Sequence, residues 1–246
     1  MQEVSELRQR EAEAYFRMVA ERGPDADVPG YAFHNLGVYD EADFETLSDV
    51  LRGVDAGASF AFLGRDADEQ AATVEAIDAA GHDVVLHGHR HVACGDLPAS
   101  LARDNVERGL AAVEAASGVE PAGFFAPLQA MNAATMEALV DAGFEWAVGH
   151  AEVAVPDDLT LVEIEPLVDF ELLTDGTDPD EAFDALSERA EEGGVFLVHP
   201  NVVEFYDGTA ELEAWIDEHR PRPVSEWIEE GGVGLLVDAV RPLRIE

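Results

Sequence analysis

Short apolar runs alternate along this chain with longer stretches whose apolar positions recur every three to four residues, the pattern of strands joined by amphipathic helices. The runs Tyr31–Leu36, Ala58–Leu63, Asp83–His87, Gly123–Ala126, Glu145–Val148, Thr160–Glu165, Val195–His199 and Val233–Val237 read as strands. Between them Asp43–Arg52, Ala67–Ala80, Ala99–Ser117, Ala133–Ala142, Pro179–Glu192, Ala210–Glu218 and Val224–Glu230 read as helices, most of them stopped by a glycine. Regular strand–helix alternation calls for a parallel sheet, because a helix must carry the chain back before the next strand begins. The expected fold class is α/β, a distorted parallel (β/α) barrel of about seven to eight strands. Residues 1–29 read as an N-terminal helical segment and residues 30–246 as the barrel, one domain overall, with Ala151–Asp158 as a polar loop inside it.

Parallel α/β folds build their sites where the strands end. The first expected strand ends in His34-Asn35, the third in His87, the fourth in Phe125-Ala126-Pro127 and the seventh in His199-Pro200. With His91 just beyond His87, four of the eight histidines fall at ends that such a fold gathers on one rim.

Composition changes the picture mainly through charge. Fourteen basic residues, all arginine, face 53 acidic ones, a formal net charge of −39, yet 47% of the chain is apolar. A disordered acidic chain would be poor in apolar residues, so this is a folded protein with a carboxylate-covered surface. Concentrated salt screens the self-repulsion of such a surface, and the expectation is the cytoplasm of an extreme halophile. Nucleic acid and anionic membranes need a basic patch and are not expected partners. A single cysteine, Cys94, fits a reducing compartment. Met1–Arg22 lacks the basic start and apolar core of a secretory signal, and no apolar run approaches membrane-spanning length.

Candidate chemistry centres on His87-Gly88-His89-Arg90-His91. On a helical turn, residues four apart share a face, so His87 and His91 could reach one metal at about 2.0–2.1 Å; the alternative is a surface histidine cluster. The run from Gly81 to His91 resembles the second motif of the polysaccharide deacetylases (NodB-homology proteins, carbohydrate esterase family four), with Gly88 where Ser or Thr is usual. Ala58–Gly64 (ASFAFLG) is similar to that family's second strand, Gly123–Asn132 (GFFAPLQAMN) to its third motif, and Gly194–Pro200 (GVFLVHP) to its fifth. The resemblance implies a divalent ion, zinc above all, held by His87 and His91, with His199 as the general acid and a carbohydrate or acetylated small molecule as substrate. A histidine titrates in the right range for the acid, and a divalent ion supplies carbonyl polarisation and a lowered water pKa. Asp169 could match the acid that tunes the late histidine, or could simply solvate a loop. Phe125, Pro127 and Trp146 could wall an acetyl group, with core packing the alternative. Cys94 could approach the metal or be a buried inert thiol. His89 is expected to face solvent or a backbone carbonyl.

The family's first motif breaks. Where it carries Phe-Asp-Asp, base and then ligand, this chain has Phe33-His34-Asn35, and Phe125 replaces the arginine that orients the base. The two losses agree, because that arginine without its carboxylate would be a buried unpaired charge. Three readings stand: His34 as third ligand of a His₃ site; Asn35 as a weak ligand with His34 as base; or a fold kept for binding alone. The expected activity is a metal-dependent hydrolase of amide bonds in an N-acetylated sugar. The alternative is a catalytically silent carbohydrate- or metal-binding protein.

Overall fold

A computed structural model describes residues 47, 50–165, 169, 172–173, 176–200, 203 and 206–238. The expected N-terminal helical segment, the strand Tyr31–Leu36, and with them His34 and Asn35, lie outside the described residues. The other seven strands form where the apolar runs place them: β1 (Ser59–Phe62), β2 (Asp83–Leu86), β3 (Gly123–Met131), β4 (Trp146–Ala151), β5 (Thr160–Val162), β6 (Gly194–Val198) and β7 (Val233–Asp238). The helices are α1 (Ala67–Ala79), α2 (Ala99–Ser117), α3 (Ala133–Asp141), α4 (Pro179–Ala190), α5 (Thr209–His219) and α6 (Val224–Glu230).

The strands lie in the order β5-β4-β3-β2-β1-β7-β6, every neighbouring pair parallel. Beyond β5, the Glu165 amide donates to the Val195 carbonyl of β6 at 2.7 Å, which brings the two ends of the row together into a nearly closed barrel. Strand period two then sorts each apolar run into two layers. Ala61, Val85, Phe125, Trp146, Val148, Val162, Val195, Leu197 and Leu236 point inward and fill the barrel. Phe60, Phe62, Leu86, Phe124, Phe196, Leu235 and Val237 point outward into the larger core beneath the helices. A strand buried on both faces must be apolar throughout, which is why these runs show little polar alternation.

The barrel's amino end is tied by Asp83. Its carboxylate accepts from Ser59 Oγ (2.7 Å), Ser225 Oγ (2.7 Å) and the Ser225 amide (3.0 Å), satisfying an orphan donor at the start of α6.

Three strands differ from expectation. β3 runs on to Met131 rather than stopping at Ala126, with its register to β4 shifting between Phe125 and Ala130. In that shift Leu128 and Gln129 adopt left-handed backbone, φ 56° and 57°. β4 extends with it to Ala151, pairing His150 with Ala130. β5, by contrast, ends at Val162 rather than Glu165. No helix among the described residues is long and apolar enough to cross a membrane.

Candidate active site

The inward parity that fills the barrel also builds the site. His87 stands two residues beyond Val85, His199 two beyond Leu197, and Asp238 two beyond Leu236, so each projects one pleat above the apolar plug. All three are buried, as is His91. One Asp238 oxygen, Oδ2, lies 3.8 Å from His87 Nε2 and 3.7 Å from His199 Nε2. Ligand-type atoms of His87, His91 and Asp238 all fall within 4.8 Å of one another.

Asp238 escaped the sequence reading, which ended the last strand at Val237 and sought carboxylates in the first strand. The signal was present: in Val233-Gly234-Leu235-Leu236-Val237-Asp238, the acid takes the inward parity at the carboxyl end of an otherwise apolar strand.

His87 is held at both its ring and its nitrogen. Nδ1 donates to the Phe125 carbonyl at 2.8 Å, which leaves Nε2 as the lone-pair nitrogen, and the Phe125 ring stacks on the imidazole with centroids 4.4 Å apart. Burial first of all pushes the His87 pKa down, and nearby His199 adds to this, against the opposing pull of Asp238 and the Phe125 carbonyl. A neutral imidazole whose buried Nε2 has no hydrogen bond and faces a carboxylate is the donor set that fits a divalent cation.

His87 and His91 do not share a helical face, as their spacing had suggested. The segment is a bend, in which Gly88 (φ 77°) turns the chain and brings the two rings to 4.8 Å between centroids. A Cβ on Gly88 would meet Asn105 Nδ2 at 2.5 Å, which accounts for glycine at the position where the family carries Ser or Thr. Asn105 of α2 bonds the backbone of Arg90 at both N–H (2.8 Å) and carbonyl (3.3 Å). Asn132, which caps α3, donates to the carbonyls of Gly95 and Leu97. The Gly64 and Arg65 amides donate to the carbonyls of Gly88 and His89. Two neighbouring elements therefore hold the histidine loop through its backbone, and Asn132 fixes the segment that follows it.

His199 is set by Asp169, whose Oδ1 pairs with Nδ1 at 2.9 Å while Oδ2 accepts the His199 amide at 2.6 Å. Burial disfavours the imidazolium, but Asp169, by charge and hydrogen bond, and Asp238 outweigh it and leave the His199 pKa above its ordinary value. The arrangement keeps a proton on a buried imidazole facing the same carboxylate oxygen as His87.

The remaining expected site residues are spread around this centre. Pro127 is buried just past Phe125, at the start of the β3 irregularity. Trp146 lies a level lower, its ring packed where a Cβ on Gly123 would be 2.3 Å away. Cys94 donates weakly to the Val92 carbonyl (3.5 Å), and burial pushes its thiol up to about 12, so it stays protonated. The His89 ring turns away toward α2, where Arg108 approaches its Nε2 at 3.3 Å.

A nearly closed parallel barrel carrying a His–His–Asp cluster and a His–Asp pair at its carboxyl rim is similar in fold to solved polysaccharide deacetylases. The family model described as polysaccharide deacetylase matches residues 33–147. The fold is similar to that of a deacetylase-like protein from Mycobacterium smegmatis, named as a putative polysaccharide deacetylase (TM-score 0.62, 20% identity, 94% of this chain and 87% of that one). It is also similar to a probable polysaccharide deacetylase from Pseudomonas aeruginosa (TM-score 0.63, 12% identity, 81% and 75%). A third likeness is to a family-four carbohydrate esterase pseudoenzyme from Bacillus anthracis (TM-score 0.57, 18% identity, 80% and 60%), so this chain spans about 60% of that protein's length. A comparison with curated protein sequences finds no match.

Proposed function

We propose that this protein is a metal-dependent hydrolase acting on the amide bond of an N-acetylated sugar or related carbohydrate. The observation that carries the reading is the shared Asp238 oxygen, 3.8 Å from His87 and 3.7 Å from a His199 that Asp169 backs. His87, His91 and Asp238 are the residues to hold a divalent ion, zinc by preference for two imidazoles and a carboxylate. Such an ion would supply polarisation of the acyl carbonyl and a lowered pKa for water. His199, its proton kept by Asp169, donates to the departing nitrogen. Phe125 orients His87 through its carbonyl and, with Pro127 and Trp146, closes the apolar side of the acyl site. His34 takes the role of base, since Asp238 already offers a carboxylate beside His87 and His91, and Asn35 contributes a weak oxygen.

A second reading has an observation in its favour: both first-motif carboxylates are replaced, and one of the structures with this fold is a pseudoenzyme. Elemental analysis after purification in molar KCl, followed by an acetate-release assay on N-acetylated oligosaccharides, separates the two. One metal per chain with acetate release supports the hydrolase; metal without release supports the silent binder. His34→Ala refines the first outcome, since loss of a base lowers rate about 10²–10⁴-fold and leaves metal content unchanged.

A further inference from the structure

β6 ends the row of strands, and the edge it turns away from β7 is met at two points. Near its start the Glu165 amide donates to the Val195 carbonyl at 2.7 Å. Just past its end the Asp169 carboxylate accepts the His199 amide at 2.6 Å and pairs with Nδ1 at 2.9 Å. Both contacts keep the same offset of 30 residues, so four residues separate the two anchors on either side. Four residues of strand rise about 13 Å, and a link of four residues reaches about 13–14 Å at most. The chain between Glu165 and Asp169 therefore has almost no length to spare, and a shift of the first anchor away from β6 is passed to the second.

The first anchor is held by α4. Arg189 donates to Glu165 Oε2 through both Nε (3.1 Å) and Nη2 (2.6 Å), and its Nη1 meets Glu192 at 2.8 Å. The Glu165 side chain is only 16% exposed and lies against Gly194, where a Cβ would be 2.9 Å from its carboxyl carbon. Deprived of Arg189, this carboxylate would be a largely buried charge without its counter-ion, a far costlier state than the loss of an exposed pair. Turning out to water relieves that cost, and the backbone at the anchor moves with it. By contrast, Arg103 and Asp141, 2.8 Å apart, are 42% and 62% exposed.

We propose that Arg189 is a positioning residue for His199: by fixing Glu165 it sets where Asp169 meets the His199 ring. The proposal rests on the reading of His199 as the proton donor, and a misplacement of about 1 Å at such a group costs up to about 10²-fold in rate.

The test follows the His199 Nδ1–H proton by NMR in protein labelled at its histidines and kept in molar KCl. Arg189→Gln should speed exchange of that proton with water at least about tenfold and lower kcat for acetate release about tenfold, with KM unchanged. Arg189→Lys, which offers a point charge in place of the fork, should fall between this variant and wild type. Glu165→Gln, which keeps the packing against Gly194, should move both readouts the same way, and Arg103→Gln should move neither. An exchange rate equal to wild type in Arg189→Gln, or in Glu165→Gln should Arg189→Gln not fold, overturns the proposal. So does a rise matched by the amides of Phe60 and Val85 in the core strands, which would mean that the whole fold has loosened. If wild type releases no acetate while the Nδ1–H exchange responds as expected, the positioning role stands and the hydrolase reading falls.

Discussion

Asp238, on the last strand of the barrel, lies 3.8 Å from His87, on the second, across the single intervening strand β1. The register sets the offset between them: Ala61 pairs with Asp238 on one side of β1 and with Val85 on the other, so His87 stands two residues further along its strand than the level of Asp238. A carboxylate absent from the family's customary position thus stands beside the histidines from another part of the chain.

Metal content should follow this geometry. His87→Ala, His91→Ala and Asp238→Ala should each lose the bound ion, while His89→Ala, whose ring faces α2, should keep it. Elemental analysis of the purified variants decides the matter. Full occupancy in Asp238→Ala would remove the carboxylate from the proposed ligand set.

The pair His199–Asp169 sets a pH dependence. In metal-free protein the folded His199 titrates above the ordinary histidine value of 6.5, since the cost of burial is outweighed by Asp169 and Asp238. A histidine with a raised folded pKa stabilises fully below its unfolded pKa, and that stabilisation is lost as pH rises through the folded value. Stability of the metal-free protein should therefore decline on the alkaline side of pH 6.5, and the His199 ring signals in NMR should titrate there. Asp169→Asn should bring the titration down and, where acetate release is measured, lower the rate about 10²–10⁴-fold. A His199 titration unmoved by Asp169→Asn would exclude Asp169 as the residue that holds the proton.

Glycine 109, in the middle of α2, would ordinarily weaken a helix by about 1 kcal/mol relative to alanine. Here a Cβ would sit 2.7 Å from the His89 amide nitrogen and 2.8 Å from the Gly88 carbonyl carbon, and the Gly64 Cβ position lies 2.5 Å from the Gly109 Cα. Gly109→Ala should destabilise by about 1–3 kcal/mol despite its better helix propensity. Because the displaced atoms belong to the histidine loop, metal affinity should fall with it. Thermal unfolding and a metal titration on the same variant check both halves; a rise in the melting temperature would show that helix and loop can separate freely.

Salt should stabilise the fold. With 53 acidic against 14 basic residues, the self-repulsion of the surface is screened only as ionic strength rises. Circular dichroism from low to multimolar KCl should show the thermal midpoint climbing; a flat or falling midpoint would contradict the reading of the charge.

The barrel was legible because parallel strands buried on both faces announce themselves as apolar runs, and β1, β2, β6 and β7 fall inside or within one residue of the expected limits. His87, His91 and His199 were legible as polar residues where such runs stop. Asp238 was not, since one acid among 53 becomes informative only once the parity of its strand is known. The left-handed backbone at Leu128 and Gln129 was equally hidden: neither residue favours that conformation, and only the pairing of β3 with β4 on both sides of the shift imposes it. The bend through Gly88 misled for a related reason, because a spacing of four fits a helical face and a tight loop equally well.

β7 comes last among the described strands but lies inside the row, between β1 and β6. During synthesis, then, the strands emerge with a vacancy among them: β1 and β6 each present an unpaired edge until Val233–Asp238 leaves the ribosome and slots between them. Until then those two edges are open to wrong pairing. The act that ends this hazard is the same one that delivers Asp238 to His87 and His199, so a completed candidate site certifies a completed barrel.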